Sequence, residues 1–398
     1  MSKLSSLAGF SCCAATAVLL AWPGAARAEL KFVPQASIDF EHNSNIFAVP
    51  AGDLVLVEQG DLTRGDTIST YQIALAVNGN WGQQKLTALF EGREIQYAHY
   101  TRLTHQEYLG DLDYFWALGD LFDGNFDVRR DKRQALFMNR ESTALEVDTT
   151  QDETANINFK LASRFRIEAG VIVHNSKTPL QGFEDSEVNE NTERVAVRRL
   201  GAGNLSYGVE VSRLNGEFKE SVNPSKYNQN NGLFVFSYGG QGAVSILNGS
   251  LGYSKRTYDG SDLTTSGVTG SIGLTRQVSA KTSIKAELKR QINIYVVGGG
   301  TETDTSGSLA ATWAATGLIT VNGELSYTRA SFGQQSVADT FDNGRVDSYG
   351  DFNLALNYQV LRWLAIRPYG RYDTRSSNRT NFSFNGTIVG IELKGKFE

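Results

Sequence analysis

The stretch Asp351-Phe352-Asn353-Leu354-Ala355-Leu356-Asn357-Tyr358-Gln359-Val360 alternates without a break. Phe352, Leu354, Leu356, Tyr358 and Val360 fall on one side, and Asp351, Asn353, Ala355, Asn357 and Gln359 on the other. A period of two means a strand with one apolar face. After a tight turn near Leu361-Arg362, Leu364, Ile366, Pro368 and Tyr372 oppose Arg367, Tyr369, Arg371 and Asp373. A polar segment, 374–380, leads to a third strand, where Val389, Ile391, Leu393 and Phe397 alternate with Ile388, Glu392, Lys394 and Lys396. A soluble sandwich would alternate as well. A run of such strands with an aromatic almost at the C-terminus suits an outer-membrane barrel instead, apolar face to lipid and polar face to a wet lumen. Phe397 stands one place before the last residue, Glu398.

The same pattern runs back through the chain. Strand four sets Tyr108, Leu112, Tyr114 and Trp116 against Glu107, Asp111 and Asp113, and strand five sets Phe122, Phe126 and Val128 against Asp123, Asn125, Asp127 and Arg129. Strand seven sets Phe165, Ile167, Ala169, Val171 and Val173 against Arg164, Arg166, Glu168 and His174. Strand thirteen sets Ile284, Ala286, Leu288, Ile292 and Ile294 against Lys285, Glu287, Lys289, Gln291 and Asn293. Strand eight, near 193–200, alternates least clearly. Connections alternate too: short turns near 79–82, 118–120, 162–163, 201–203, 239–242, 279–280, 316–317 and 361–362 take turns with longer polar segments at 132–152, 175–191, 215–230, 258–265, 298–304, 329–344 and 374–380. Short turns at the periplasm and long loops outside are the habit of bacterial barrels. A soluble sandwich gives no reason for one side to be uniformly short.

The expected fold is therefore all-β: a transmembrane antiparallel up-and-down β-barrel of about eighteen strands, sixteen if strands one and eight fail, with both termini periplasmic. Closure pairs every backbone group in lipid, where an open edge is costly. Sixteen to eighteen strands leave room for an aqueous passage unless loops plug it. Residues 1–28 read as a cleaved signal peptide, with Lys3 first, a mostly apolar run to Trp22 and a small-x-small site at Ala26-Arg27-Ala28; the barrel would fill 29–398. The expected location is the outer membrane of a Gram-negative bacterium.

The chain carries 38 basic and 43 acidic residues, an acidic balance that speaks against nucleic acid as a partner. Cys12 and Cys13 both lie in the apolar leader, so a mature chain would have no disulfide and no thiolate metal site. The histidines are His42, His99, His105 and His174, and no Ser-His-Asp constellation stands out. Gly298-Gly299-Gly300 is a loop tip, because no helix follows it. No enzymatic activity, cofactor or metal is expected. The candidate substrate path is the inward charge: Arg164, Arg166, Lys285, Lys289, Arg367, Arg371, Lys394 and Lys396 facing Asp111, Asp113, Asp123, Asp127, Glu287 and Glu392. The plainer account of these residues is a solvated interior that neutralises itself. Basic residues gather on strand seven and the last strands, acidic ones on strands four and five, which suggests a transverse field.

Asp39-Phe40-Glu41-His42-Asn43-Ser44-Asn45-Ile46-Phe47 resembles the "Asp-x-Asn-(Ile/Val)-(Phe/Tyr)" opening of β-barrel porins found with exopolysaccharide gene clusters, the EpsL-like group, with Asn43 where that pattern has Asp. Arg375-Ser376-Ser377-Asn378, Phe382-Ser383-Phe384-Asn385-Gly386 and Val389-Gly390-Ile391-Glu392-Leu393 look like the last hairpin of the same group. The resemblance implies a barrel in outer-membrane lipid that exports a polysaccharide, helped by periplasmic and inner-membrane components. The alternative is a general or solute-specific uptake porin, followed by a plugged surface protein and a barrel enzyme. An uptake porin should fold a long loop inward and narrow the lumen; an exporter should keep a continuous bore with a gating loop. Residues 48–66, 132–152 and 329–344 are the segments expected to form a constriction.

Overall fold

The computed structural model describes residues 29–50, 63–139, 143–161, 164–178, 187–218, 226–240, 242–260, 262–295, 300–333, 344–379 and 382–397. The leader expected at 1–28, and parts of several loops, lie outside the described residues. The chain forms β1 (Glu29–Asn43), β2 (Asp66–Trp81), β3 (Gln84–Tyr97), β4 (His105–Leu118), β5 (Phe122–Gln134) and β6 (Val147–Leu161). It continues with β7 (Phe165–Lys177), β8 (Val188–Leu200), β9 (Ser206–Phe218), β10 (Lys226–Tyr238), β11 (Ser245–Tyr258) and β12 (Thr264–Ser279). The last third holds β13 (Thr282–Tyr295), β14 (Gly300–Ala314), β15 (Ile319–Phe332), β16 (Val346–Leu361), β17 (Leu364–Ser377) and β18 (Phe384–Lys396).

These make one 18-stranded antiparallel sheet in sequence order, closed by β1 pairing with β18 from Gln35↔Lys396 to Asn43↔Ile388. No open edge remains, which is the condition for strands to live in hydrocarbon. The count is eighteen, and β8 is a full strand of 13 residues rather than a doubtful one. Among the described residues the only helical pieces are the 3-10 turns Thr101–Leu103, Phe137–Asn139 and Ala202–Asn204. None is long and apolar enough to cross a membrane, so crossing is left to the strands.

The outer face is apolar. Ile73, Val209, Val211, Leu251 and Leu288 are 72%, 60%, 61%, 61% and 63% exposed, and no soluble fold could leave such a set bare around its whole girth. Aromatics gather near the short turns, where Trp363 stacks on Phe397 at 6.0 Å and Phe122 on Phe159 at 5.0 Å. Tyr253, Tyr327 and Tyr372 form a second exposed set toward the long loops. Two aromatic girdles flanking an apolar band match the two water interfaces of a bilayer. This is a transmembrane barrel of the outer membrane.

The strands overrun their expected limits, almost always at the long-loop end. β5 continues to Gln134 and β6 begins at Val147, so both ends of the expected 132–152 loop are strand. β7, β8, β9 and β10 likewise take up parts of 175–191 and 215–230. At the other end β2 runs to Trp81, which moves the first turn to Gly82-Gln83, with Gly82 at φ 62. A turn residue at positive φ is glycine's place because it has no Cβ to clash. The last turn sits at Arg362-Trp363, one place later than expected.

Candidate functional site: the lumen and its mouth

Because side chains alternate, the register fixes which ones enter the lumen. Of the expected inward residues, Asp111, Asp123, Arg166, Arg367, Arg371 and Glu392 meet a partner of opposite charge on another strand. Asp123 takes Lys160 at 3.0 Å and Arg166 at 3.0 Å. Glu168 takes Arg166 at 3.3 Å and Arg198 at 3.0 Å, and Arg194 lies 3.6 Å from Glu210. Asp111 is 3.5 Å from Arg129. Arg367 is 3.3 Å from Glu392, and Arg371 sits between Asp351 at 2.5 Å and Asp373 at 2.7 Å. These pairs cancel part of the expected transverse field within the wall. Short-range pairs of opposite sign leave little potential a Debye length away.

Other members of the expected set behave differently. Arg164 is exposed at the short-turn rim, just before β7. Asp113 and Asp127 lie directly opposite each other between β4 and β5, with the Asn125 amide donating to Asp127. Lys285, Glu287, Lys289 and Lys394 make no ion pair within 4.0 Å among the described residues. Among the described residues no group of histidines and carboxylates has the makings of a metal site. His105 Nδ1 meets the Leu103 carbonyl at 2.6 Å and Nε2 meets Glu107 at 3.2 Å, while His174 meets Asp152 at 2.6 Å. These are local wall contacts.

A cavity of about 610 Å³ occupies the short-turn half of the lumen along β7 to β13. Arg166, Glu168, Arg198 and Glu210 mark one side of it and Lys285 and Glu287 the other. Between them the wall is hydroxyl and amide: Ser206, Ser237, Asn248, Ser250, Ser271 and Thr275.

At the long-loop end the lumen narrows. Ile46, Phe47 and Val49, which follow β1, are buried with Ile68, Tyr97, Tyr100 and Leu103, and Phe137 packs against them. Phe47 meets the Tyr100 ring edge-on at 4.8 Å and the Phe137 ring at 5.0 Å. Ile68 and Tyr97 point inward by register, so this cluster fills part of the mouth. Asn45 builds the bend that brings Phe47 there. Its Nδ2 donates to the Val49 carbonyl at 2.8 Å and to the Asn385 carbonyl at 2.9 Å, and its Oδ1 accepts from the Val49 N–H at 3.1 Å. The opening motif and the closing-hairpin motif therefore touch each other, and Thr387 N–H donates to Ser44 Oγ at 2.8 Å.

The segment after β5 reaches farther. Arg375 on β17 donates to the Met138 carbonyl at 2.5 Å. Between β5 and β17 the wall runs through β4, β3, β2, β1 and β18, so this bond spans the mouth rather than following the wall. Arg375 is itself held by Asp347 at 2.6 Å, which also takes Arg345 at 3.2 Å. The Arg345 guanidinium lies 3.7 Å from the Phe332 ring centre and 4.4 Å from that of Phe382; Arg375 lies 4.8 Å from Phe382. All three charged residues are almost fully buried. This latch was not read from the sequence. Its signal was a pair of inward arginines beside inward aromatics at strand ends.

Residues 236–397 match the model of the family described as "Putative beta-barrel porin 2". Curated proteins give no match. Among solved structures, OpdQ of Pseudomonas aeruginosa is 10% identical, covering 93% of this chain and 99% of its own, with a TM-score of 0.48. The outer membrane protein OpdK of the same organism is 9% identical over 93% and 99%, at 0.46. The FrpB iron transporter of Neisseria meningitidis is 9% identical over 92% and 81%, at 0.43.

Proposed function

We propose that this barrel is a passive uptake porin for small hydrophilic solutes, with termini and short turns in the periplasm and its narrowest point at the latched loop. The carrying observation is the bond from Arg375 to the Met138 carbonyl across the mouth. A loop folded inward and fixed to the far wall leaves a restricted opening. Such an opening suits solutes that pass one at a time, whereas a polymer threading outward needs a continuous bore. The porin-family match over 236–397 supports the channel reading. Among the described residues, most inward charges from β4 to β9 and on β16 to β18 are held in ion pairs along the wall. The exopolysaccharide association rests on the two short end motifs, and those meet in a contact that shapes the mouth. Loss of residues 1–28 before insertion belongs to the same proposal.

Single-channel conductance in planar bilayers tests it. The intact barrel should show an open channel whose current ignores added anionic and neutral polysaccharides. Deleting residues 136–145 should raise the conductance and lift any preference among small solutes. Block by a polysaccharide, with small sugars inert, would return the export reading.

A further inference from the structure

The lumen wall has two chemically different sectors. From β4 to β9, and again on β16 to β18, most inward charges are paired across adjacent strands. The arc between them is different. On β12 the residues beside Lys285 and Glu287 are Thr275 and Gly273; on β14 they are Ala310 and Ser308. None of these can neutralise a charge. One strand further, Glu324 shares a row with Lys285, separated from it by Ala310. Glu324 in turn faces Asn353 on β16. Lys285, Glu287 and Glu324 make neither an ion pair nor a side-chain hydrogen bond among the described residues.

These are therefore charges of both signs, close together, facing water, with their hydrogen-bonding capacity unspent. Lys285 and Glu287 are two residues apart on one face, about 7 Å along the strand. A solute that carries both charges within a few ångströms can bridge them with two charge-assisted hydrogen bonds of about 2.8 Å. A simple anion would be repelled by the carboxylates, and a simple cation by Lys285. Small neighbours such as Gly273, Ser308 and Ala310 leave room, and the adjoining cavity of about 610 Å³ is large enough for a small metabolite.

We infer that the β13–β15 wall is a binding site for small zwitterionic solutes of the amino-acid type. Lys285 takes the carboxylate, and Glu287 with Glu324 takes the ammonium. The inference rests on the uptake reading and names its solute class. A neighbouring hydroxyl ladder, Ser250, Ser271 and Thr275, supplies further donors and acceptors for a polar side group.

Proteoliposome swelling provides the test, with glutamine as the zwitterion, arabinose as a neutral solute of similar size and succinate as an anion. Glutamine should enter about two- to fivefold faster than arabinose, the scale on which exposed charge pairs act. The double variant Lys285→Gln with Glu287→Gln should lose that preference while arabinose flux stays unchanged. The reversed pair, Lys285→Glu with Glu287→Lys, should keep it, because both signs remain. Equal glutamine and arabinose rates in the parent barrel, or a preference that survives neutralisation, would overturn the assignment alone. Arabinose flux reports separately on whether the channel is open. No swelling with any solute would overturn the uptake reading and this site together.

Discussion

At the scale of single residues, the wall is held by glycines placed under aromatic rings. Tyr227 lies opposite Gly216, Phe236 opposite Gly249, and Tyr369 opposite Gly390. On the outer face Trp116 lies opposite Gly124, where an added Cβ would stand 2.5 Å from the Trp116 ring and 2.2 Å from the Asn156 carbonyl. Each ring covers the bare backbone of its glycine, a pairing that offsets the low strand propensity of glycine. Gly124→Ala should therefore destabilise the barrel by about 1–3 kcal/mol, as overpacking does. Gly267, whose Cβ would meet nothing within 4 Å, is the contrast, and Gly267→Ala should stay within about 0.5 kcal/mol. Urea titration of the barrel in detergent, read by heat-modifiable gel migration, separates the two. Equal shifts would mean that ring coverage is incidental. The outward residues were legible before the fold was known, because alternation alone assigns Phe352, Leu354 and Val389 to lipid. Ring-over-glycine pairs were not legible, since they need the cross-strand register.

At the scale of elements, sequence and structure part company where strands leave the bilayer. Lipid demands an apolar outer face for only about 9–11 residues of a tilted strand. β2, β6 and β16 have 16, 15 and 16 residues. Beyond the lipid both faces are wet, so Asp148-Thr149-Thr150-Gln151-Asp152 at the start of β6 shows no alternation and reads as loop. The mouth was opaque for another reason. Phe47, Tyr100 and Phe137 come from three separate connections, and no period links them. The segments named as a constriction from their length included 132–152, and that segment does carry Met138. Its anchor is separable from the fold. Arg375→Met removes the bond to the Met138 carbonyl but leaves Asp347 paired with Arg345, so no buried carboxylate is stranded. The variant should insert normally and show a higher or more fluctuating single-channel current than its parent. An unchanged current trace, at equal insertion, would place the constriction elsewhere.

At the scale of the whole molecule, the fold is inside out relative to a soluble protein, and this can be measured. Leu251 lies near the middle of β11 and faces outward, 61% exposed; the preceding residue, Ser250, faces the cavity and meets Ser271 Oγ at 3.3 Å. In water the exposed position would accept a charge and the enclosed one would resist it. In a bilayer the order reverses, because a charge at the midplane must be taken from water into hydrocarbon. Leu251→Arg should cost about 2–4 kcal/mol of stability in lipid vesicles, whereas a lumen position has water to solvate the same guanidinium. Ser250→Arg should therefore fold with little loss, and its effect should appear in conductance. Placed beside the unpaired charges of β13, the new cation should also favour anion flux over the parent's. Folding titrations of both variants into vesicles give the comparison directly. If Ser250→Arg proves the more destabilising of the two, the lumen is dry, and a water-filled passage through this barrel is ruled out along with the solute site on its wall.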